Sequence, residues 1–151
     1  MPTYRHGTDH DVPVLAQFWH DMLVESKVAG SGLMADWRPR LERHFTEQMA
    51  EAAMAWFLAE EDGHIVGTAA AFLSCGRSNV LLDVTATLAG IYVVPGYRRR
   101  GIARELTVRA IEWCKGRGCV SIRLQASEAA RPLYESLGFR TFRETMKLDL
   151  R

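Results

Sequence analysis

Apolar residues recur along this chain with two different periods, and the switches between them divide it into elements. Residues 3–6 read as a short strand. From about 12 to 26, Leu15, Phe18, Trp19, Met22 and Leu23 fall at helical spacing. Proline is tolerated only in a first turn, so Pro13 predicts a helix start near Asp11. Residues 27–37 hold two glycines and a serine and read as a loop. A second helix, about 38–51, carries Leu41, Phe45 and Met49 on one face. Two apolar runs follow, Met54 to Glu60 and His64 to Leu73, separated by Glu61-Asp62-Gly63. Asp-Gly between such runs is a hairpin signal.

Residues 74–80 read as a loop and Leu81 to Val94 as a long strand that Pro95 ends, with Gly90 predicted to bulge. Gly101 to Gly116 is a predicted helix with Ile102, Leu106, Ala110 and Trp113 on one stripe, and Gly116 and Gly118 mark its exit. Val120 to Gln125 is a strand, Ala129 to Leu137 a short helix ended by Gly138, and Phe139 to Leu150 a final strand. Strand, helix and strand over 88–125 make a βαβ unit, whose two strands must run parallel. The hairpins before it favour antiparallel pairing. The expected fold is α+β, a mixed, mostly antiparallel sheet with helices on its faces.

Composition leaves this picture intact. With 151 residues, 48% hydrophobic and 25% charged, the chain fits one domain over residues 1–151, and no repeat or low-complexity block is visible. The formal net charge of +1 implies no general polyanion surface, and without aromatic interleaving nucleic acid is not an expected partner. Cys75, Cys114 and Cys119 are too few for a disulfide scaffold and read as small buried apolar residues. The five histidines lack metal-ligand spacing, so no metal is expected. The opening MPTYRHGTDHD has no apolar run of a secretory signal, and the longest apolar stretch, Ala52 to Ala59, is far short of the ~20 residues of a membrane span. A cytoplasmic protein without membrane association is the expectation.

Charge changes the picture locally. Arg98, Arg99, Arg100 and Arg104 lie within seven positions, where a strand exit meets a helix start. The first amides of a helix lack internal partners, and its dipole places partial positive charge there. Gly101 lets a ligand approach the backbone, and Ala103 keeps the next turn small. Together these features suit a phosphate or pyrophosphate. A solvated basic turn is the plainer reading, but it leaves the coincidence of arginines, glycine and helix start unexplained. Neither a Walker motif nor a dinucleotide fingerprint is present.

The run from Ile91 to Phe139 resembles the core of the GNAT superfamily of N-acetyltransferases. The family's [RQ]-x-x-G-x-[GA] motif appears as Arg98-x-x-Gly101-x-Ala103. Its Leu-Tyr-Glu-x-x-Gly-Phe segment appears as Leu133-Tyr134-Glu135-Ser136-Leu137-Gly138-Phe139. Each motif is short; both together, separated by one helix and one strand, are specific. The resemblance implies a sheet of six to seven strands, four helices and acetyl-CoA as co-substrate. By the same resemblance Ile91, Tyr92 and Val93 would offer backbone groups to the pantetheine arm. Arg98, Arg99, Arg100, Gly101, Ile102 and Ala103 would hold the pyrophosphate, and Arg104 would either add charge or point to solvent. A bulge at Gly90 would open a gap for the thioester. Tyr134 would protonate the departing thiolate, the competing reading being a core aromatic. Ser127 stands where many relatives carry Asn and can make one hydrogen bond to the CoA arm.

No general base is specified by the motifs. Asp83, on or just before the long strand, is the candidate; a solvated loop carboxylate and a water chain to bulk compete with it. The acceptor, a small-molecule or peptide amine, is expected between the first two helices, rimmed by loops 27–37 and 74–80. Asp21, Glu25, Asp36 and Asp83 could attract its charge, and Trp19, Trp37 and Trp56 could offer aromatic surface. No cysteine is placed for an acetyl-enzyme, so direct transfer in a ternary complex is the expected reaction. A non-catalytic acyl-CoA-binding sensor or partner module is the alternative. Related folds often pair as homodimers, and pairing is an expectation here too.

Overall fold

The computed structural model describes residues 1–26, 32–75, 83–143 and 145–150. Its elements are β1 (Thr3–His6), a 3-10 turn Asp9–Asp11, α1 (Val12–Glu25), α2 (Trp37–Ala50), β2 (Met54–Glu61), β3 (His64–Cys75), β4 (Val84–Val93), α3 (Ile102–Gly116), β5 (Cys119–Arg123) and α4 (Arg131–Ser136). The strands form one sheet in the order β1-β2-β3-β4-β5. The first three junctions are antiparallel and β4–β5 is parallel. A parallel pair needs a long crossover, and α3 supplies it.

Local chemistry explains the boundaries. Pro13 sits in the first turn of α1, where its missing N–H breaks no bond. Just before it, Asp11 accepts from the Thr8 amide at 2.7 Å and from Arg5 at 2.7 and 2.8 Å. These bonds pin β1 to the entry of α1. At the β2–β3 hairpin, Asp62 and Gly63 have φ of 53° and 78°. Two successive left-handed residues match the twist of the flanking strands.

Strand alternation sorts the core into two layers. Met54, Trp56, Leu58 and Ala70 face α1 and α2, meeting Val12, Leu15 and Phe45. Phe57, Ala59, Val66, Ala69, Ala71, Ala86 and Leu88 face α3, meeting Ile102, Leu106, Ala110 and Cys114. The central strand is built of small residues because both layers press on it. A Cβ at Gly67 would stand 2.9 Å from the Ile102 Cγ2. Cys114 is buried in the α3 layer, and burial pushes its thiol up to about 12. A thiol so protected is a packing residue, not a nucleophile.

The expected elements through residue 137 are present with shifts of a few residues. The long strand is described over Val84–Val93, its expected start at Leu81 lying outside the described residues, and the last helix covers 131–136 rather than 129–137. The expected loops fall partly outside the described residues, at 27–31 and 76–80, and β3 itself runs on to Cys75. One expectation fails. Residues 139–150 form no strand among the described residues, so the sheet has five strands rather than six to seven. The alternation that predicted a strand is real, but a strand needs a ladder partner, and here Met146, Leu148 and Leu150 remain exposed. Among the described residues no helix is long and apolar enough to cross a membrane.

Arg5 holds the Asp11 carboxyl down at about 2. Because the folded value lies below the unfolded one, this pair stabilises the fold above about pH 4, and the gain is lost as pH falls through about 2. The unscreened linkage would be ~2 kcal/mol; with Arg5 39% exposed, screening reduces it to about 1 kcal/mol. Urea unfolding of wild type and Arg5→Ala between pH 2 and 6 should show a gap that closes toward pH 2. A gap independent of pH would remove the ion pair as its cause.

Candidate active site

The β4–β5 ladder runs from Val84↔Cys119 to Thr87↔Arg123 and stops there. β4 continues to Val93, still paired to β3 on its other side. Residues 88–93 therefore have one edge without a strand partner. The ladder ends where β5 ends, at Arg123, and Gly90 follows on the unpaired stretch. Thr68 and Ala70 of β3 oppose Tyr92 and Ala89 of β4, so β4 holds an extra residue, which is the expected bulge. Gly90 has φ of 62°. A Cβ there would stand 2.9 Å from Trp19 and 3.0 Å from Trp56. The buried Thr68 hydroxyl donates to the Gly90 carbonyl at 2.9 Å and fixes the bulge. Ile91, Tyr92 and Val93 lie on the free edge just beyond it.

The strand then enters a turn through a 3-10 segment, Pro95–Tyr97. Arg98 is extended, Arg99 is left-handed at φ 61°, and Gly101 is left-handed at φ 82°. Such a sequence of conformations turns successive N–H groups toward one concavity. The first helical bond to close is from the Glu105 amide to the Gly101 carbonyl, at 3.0 Å. Among the described residues, no backbone acceptor meets the amides of Arg99 through Arg104. Nothing lies within 4 Å of where a Gly101 Cβ would be, so the turn is open above it.

The four arginines do not act as one cluster. Arg98 donates to both Glu25 oxygens at 2.7 and 2.8 Å and to the Val93 carbonyl at 2.8 Å, and its guanidinium lies 5.4 Å from the Tyr92 ring. This pairing holds the Glu25 carboxyl below its usual range. Arg100 stacks on Tyr97 and reaches Glu61 at 3.8 Å. Arg104 donates to the Ser136 hydroxyl at 2.7 Å, so it turns toward α4. Arg99 makes no ion pair among the described residues. Three arginines thus tie α1, the β2–β3 hairpin and α4 to the turn, while Arg99 and the free amides have no such partner among the described residues. Residues 25 and 98 are 73 apart, and no local pattern signalled their bond.

Tyr134 is 7% exposed, with its ring edge-on to Phe139 at 6.0 Å. Burial raises its phenol above the ordinary value of 10.0. Ser127 is engaged locally: its hydroxyl accepts from the Ala130 amide at 3.2 Å and its carbonyl from the Arg131 amide at 3.0 Å. It anchors the entry to α4 and so helps set Tyr134. Asp83 is exposed immediately before β4. Seven residues of strand separate it from Gly90, about 23 Å at the usual rise. The structure does not bring these two together.

The other acidic candidates have partners. Asp21 accepts from the Gln17 amide group at 2.8 Å and Asp36 from Arg40 at 2.7 Å. Trp56 is buried in the core and its indole N–H has no hydrogen-bond partner. Trp19 and Trp37 do line a cavity of about 280 Å³ between α1 and α2, together with His20, Leu23, Leu41 and His44. His20 stacks on Trp37 with ring centres 4.3 Å apart. Trp19 is shared between this cavity and the bulge. A second cavity of about 530 Å³, at Phe57, Arg109 and Trp113, touches neither the bulge nor the turn. Among the described residues there is no group of three metal-ligating side chains.

The model of the Acetyltransferase (GNAT) family matches residues 16–139. A glucosamine 6-phosphate N-acetyltransferase of Trypanosoma brucei brucei is 32% identical over 99 residues, 62% of this chain and 63% of that protein. The [ribosomal protein bS18]-alanine N-acetyltransferase of Escherichia coli is 35% identical over 104 residues, 67% of this chain and 64% of that one. The chain thus spans a little under two thirds of the length of these relatives. The crystal structure of a predicted acetyltransferase from Clostridium acetobutylicum, solved with acetyl-CoA, superposes with a TM-score of 0.84 at 26% identity, covering 99% of this chain and 97% of that one.

Gly90 and Gly63 both have positive φ, but only Gly90 faces packed atoms. Gly63→Ala should cost about 1 kcal/mol, the backbone penalty alone. Gly90→Ala adds overpacking and should cost ~2–4 kcal/mol in urea unfolding. Equal losses at the two positions would show that the bulge does not depend on the contact with Trp19 and Trp56.

Proposed function

The chain belongs to the GNAT acetyltransferase family, and from that premise we propose that it moves an acetyl group from acetyl-CoA to a primary amine by direct attack in a ternary complex. The observation that carries this reading is the junction of two unpaired backbone edges. The free side of residues 88–93 suits the amide-bearing pantetheine arm, which adds to it as a strand would. The amides of Arg99 to Arg104 follow at the end of that edge and suit the pyrophosphate, with Arg99 adding full charge. An arm laid along that edge from the turn delivers its thioester beside the Gly90 bulge.

In the proposed reaction the neutral amine attacks the thioester carbonyl, and a β4 N–H stabilises the oxyanion. The C–S bond then breaks as the amide forms, and Tyr134 gives its proton to the departing thiolate. A phenol raised above its ordinary value is protonated at neutral pH, as a general acid must be. The amine proton leaves through water, because none of the candidate carboxylates reaches the bulge unpaired. Glu25, Asp21 and Asp36 are engaged, and Asp83 stands at the other end of β4.

The acceptor we propose is an amine borne on an apolar or aromatic body. The cavity beside Trp19 is walled by two indoles, three leucines and Met34, together with His20, Arg40 and His44, and holds no carboxylate. The two relatives described above are named for a sugar phosphate and a protein substrate, and Arg40 of this wall is already paired with Asp36.

Two measurements test these readings. Tyr134→Phe should lower kcat by about 10²-fold, the ordinary contribution of a general acid, with acetyl-CoA affinity nearly unchanged. Gly101→Asp should instead weaken acetyl-CoA binding by at least tenfold, since it adds strain and negative charge beside the free amides. Unchanged calorimetric affinity in Gly101→Asp would defeat the pyrophosphate site, and an unchanged rate in Tyr134→Phe would remove the acid. Acetyl-CoA binding with no thiol release on any amine would favour the non-catalytic module.

The acceptor reading predicts that phenylethylamine-type amines exceed glucosamine 6-phosphate in kcat/KM by about tenfold or more, as removal of a charged group from an apolar wall requires. Trp37→Ala should erase that preference. Equal or reversed preference in the wild type would reject the apolar acceptor.

A further inference from the structure

We propose that the water which carries the proton away from the acceptor amine delivers it to Nε2 of His20, with Asp21 as the residue that orients this imidazole. This rests on the acetyl-transfer reading above and adds the proton acceptor that the reading leaves to solvent. His20 lies on α1, in the wall of the cavity between α1 and α2 where the acceptor is proposed to bind. Its side chain is 26% exposed, so water reaches it.

The ring is fixed both by its face and by its edge. Its face stacks on the Trp37 indole, 22° from parallel with centres 4.3 Å apart. Its Nδ1 lies 3.2 Å from Asp21 Oδ1. A carboxylate only accepts, so the shared hydrogen sits on Nδ1 and the lone pair of the neutral ring is left on Nε2. Further contacts hold Asp21 in turn. Gln17 donates to the same Oδ1 at 2.8 Å, and Arg38 donates to the Gln17 Oε1. The Arg38 guanidinium lies 4.7 Å from the centre of the Trp37 ring. The contacts thus close on themselves, from Trp37 through His20, Asp21, Gln17 and Arg38 back to Trp37. Two helices hold one imidazole in one orientation.

The position fits the reaction. Trp19, the preceding residue, lines the same cavity and packs on the bulge, where a Gly90 Cβ would stand 2.9 Å from its ring. At roughly 30 Å³ each, several waters fit in about 280 Å³, and they join the bulge side to the imidazole. A primary amine is an ammonium near neutral pH. One N–H bond breaks, the proton passes through water to Nε2, and the freed lone pair attacks the thioester carbon. Asp21 stabilises the resulting imidazolium, which returns its proton to bulk water before the next turnover. The other ionisable groups in this wall are Arg40, committed to Asp36, and His44. The His44 ring meets Phe45, and no carboxylate bonds it among the described residues. Of the two histidines, His20 is the one with an orienting acid.

His20→Gln should lower kcat with phenylethylamine by about 10²-fold, with calorimetric affinity for acetyl-CoA unchanged. With phenylhydrazine, which is neutral near pH 7 and needs no proton removed before it attacks, the same variant should lose less than about threefold. Added imidazole should restore rate to His20→Gly in proportion to its concentration. Asp21→Asn can offer Nδ1 a donor and favour the other tautomer, so it should lower kcat at least about tenfold with the KM for the amine little changed. Equal losses with both acceptors together with no recovery by imidazole would reduce His20 to a packing partner of Trp37 and overturn the proposal. A larger loss in His44→Gln than in His20→Gln would overturn it as well. Wild-type transfer rates in His20→Gln would defeat this proposal alone, whereas a wild type that acetylates no amine would defeat the acetyl-transfer reading along with it.

Discussion

A buried hydrogen bond from the Thr68 hydroxyl to the Gly90 carbonyl holds the irregularity on which the rest of the site depends. The β4–β5 ladder ends at Thr87, where β5 ends at Arg123, and the extra residue in β4 follows just beyond that point. The bond contributes only about 1 kcal/mol net, yet leaving the buried carbonyl unpaired would cost ~1–3 kcal/mol. The aromatic layer enforces the same geometry from the other side. Trp19 and Trp56 fill the volume that any Gly90 side chain would need. Trp56 leaves its indole N–H unpaired in doing so. Burying an indole of ~200 Å² gains roughly 5 kcal/mol, against ~1–3 kcal/mol for the orphaned donor, so packing wins. Core and cleft are one construction on this face of the sheet.

Electrostatics divides into structural and binding parts. A run of arginines at a helix start invites a sum of positive charges, but three of the four are committed elsewhere. Arg98 ties the end of α1 to the end of β4, Arg100 leans on the β2–β3 hairpin, and Arg104 reaches α4. Exposed ion pairs of this kind are individually worth ~0–1 kcal/mol. Their effect is geometric, since they converge on one short turn and fix its amides relative to the strands and helices around it. The proposed anion site is made mainly of backbone N–H groups, which are more rigid than long side chains, and Arg99 and Gly101 take left-handed conformations there. The unfavourable φ of Arg99, a residue with a Cβ, is what such a concavity requires.

Much of this was legible in the sequence, and the reasons differ by residue. The Asp62-Gly63 hairpin, the Gly90 bulge and the start of α3 were readable because each depends on backbone preferences of the residues themselves. The two motifs carried the family because they sit at a strand exit and a helix entry, where chemistry and backbone coincide. Long-range pairings were not readable. Nothing near Arg98 announces Glu25, and nothing near Thr68 announces a carbonyl 22 residues away. Asp83 was chosen by type and by its place near the central strand, and the length of β4 then separated it from the bulge. The strand expected over 139–150 was a correct reading of alternation and an incorrect one of structure, since periodicity reports what a segment can bury and not whether a partner is present.

That distinction joins the two ends of the sheet. On the β5 side of β4, residues 88–93 have no strand partner because β5 ends at Arg123. On the outer side of β5, no further strand pairs among the described residues. The two edges are equally open to hydrogen bonding but differ in what flanks them. The inner edge ends at a turn of free amides, and on this the proposed acetyl-CoA site rests. The outer edge is flanked by Ile122, Leu124 and Arg123, two apolar side chains and a charge rather than a turn of free amides. Two open strand edges of one sheet thus differ in the chemistry beside them.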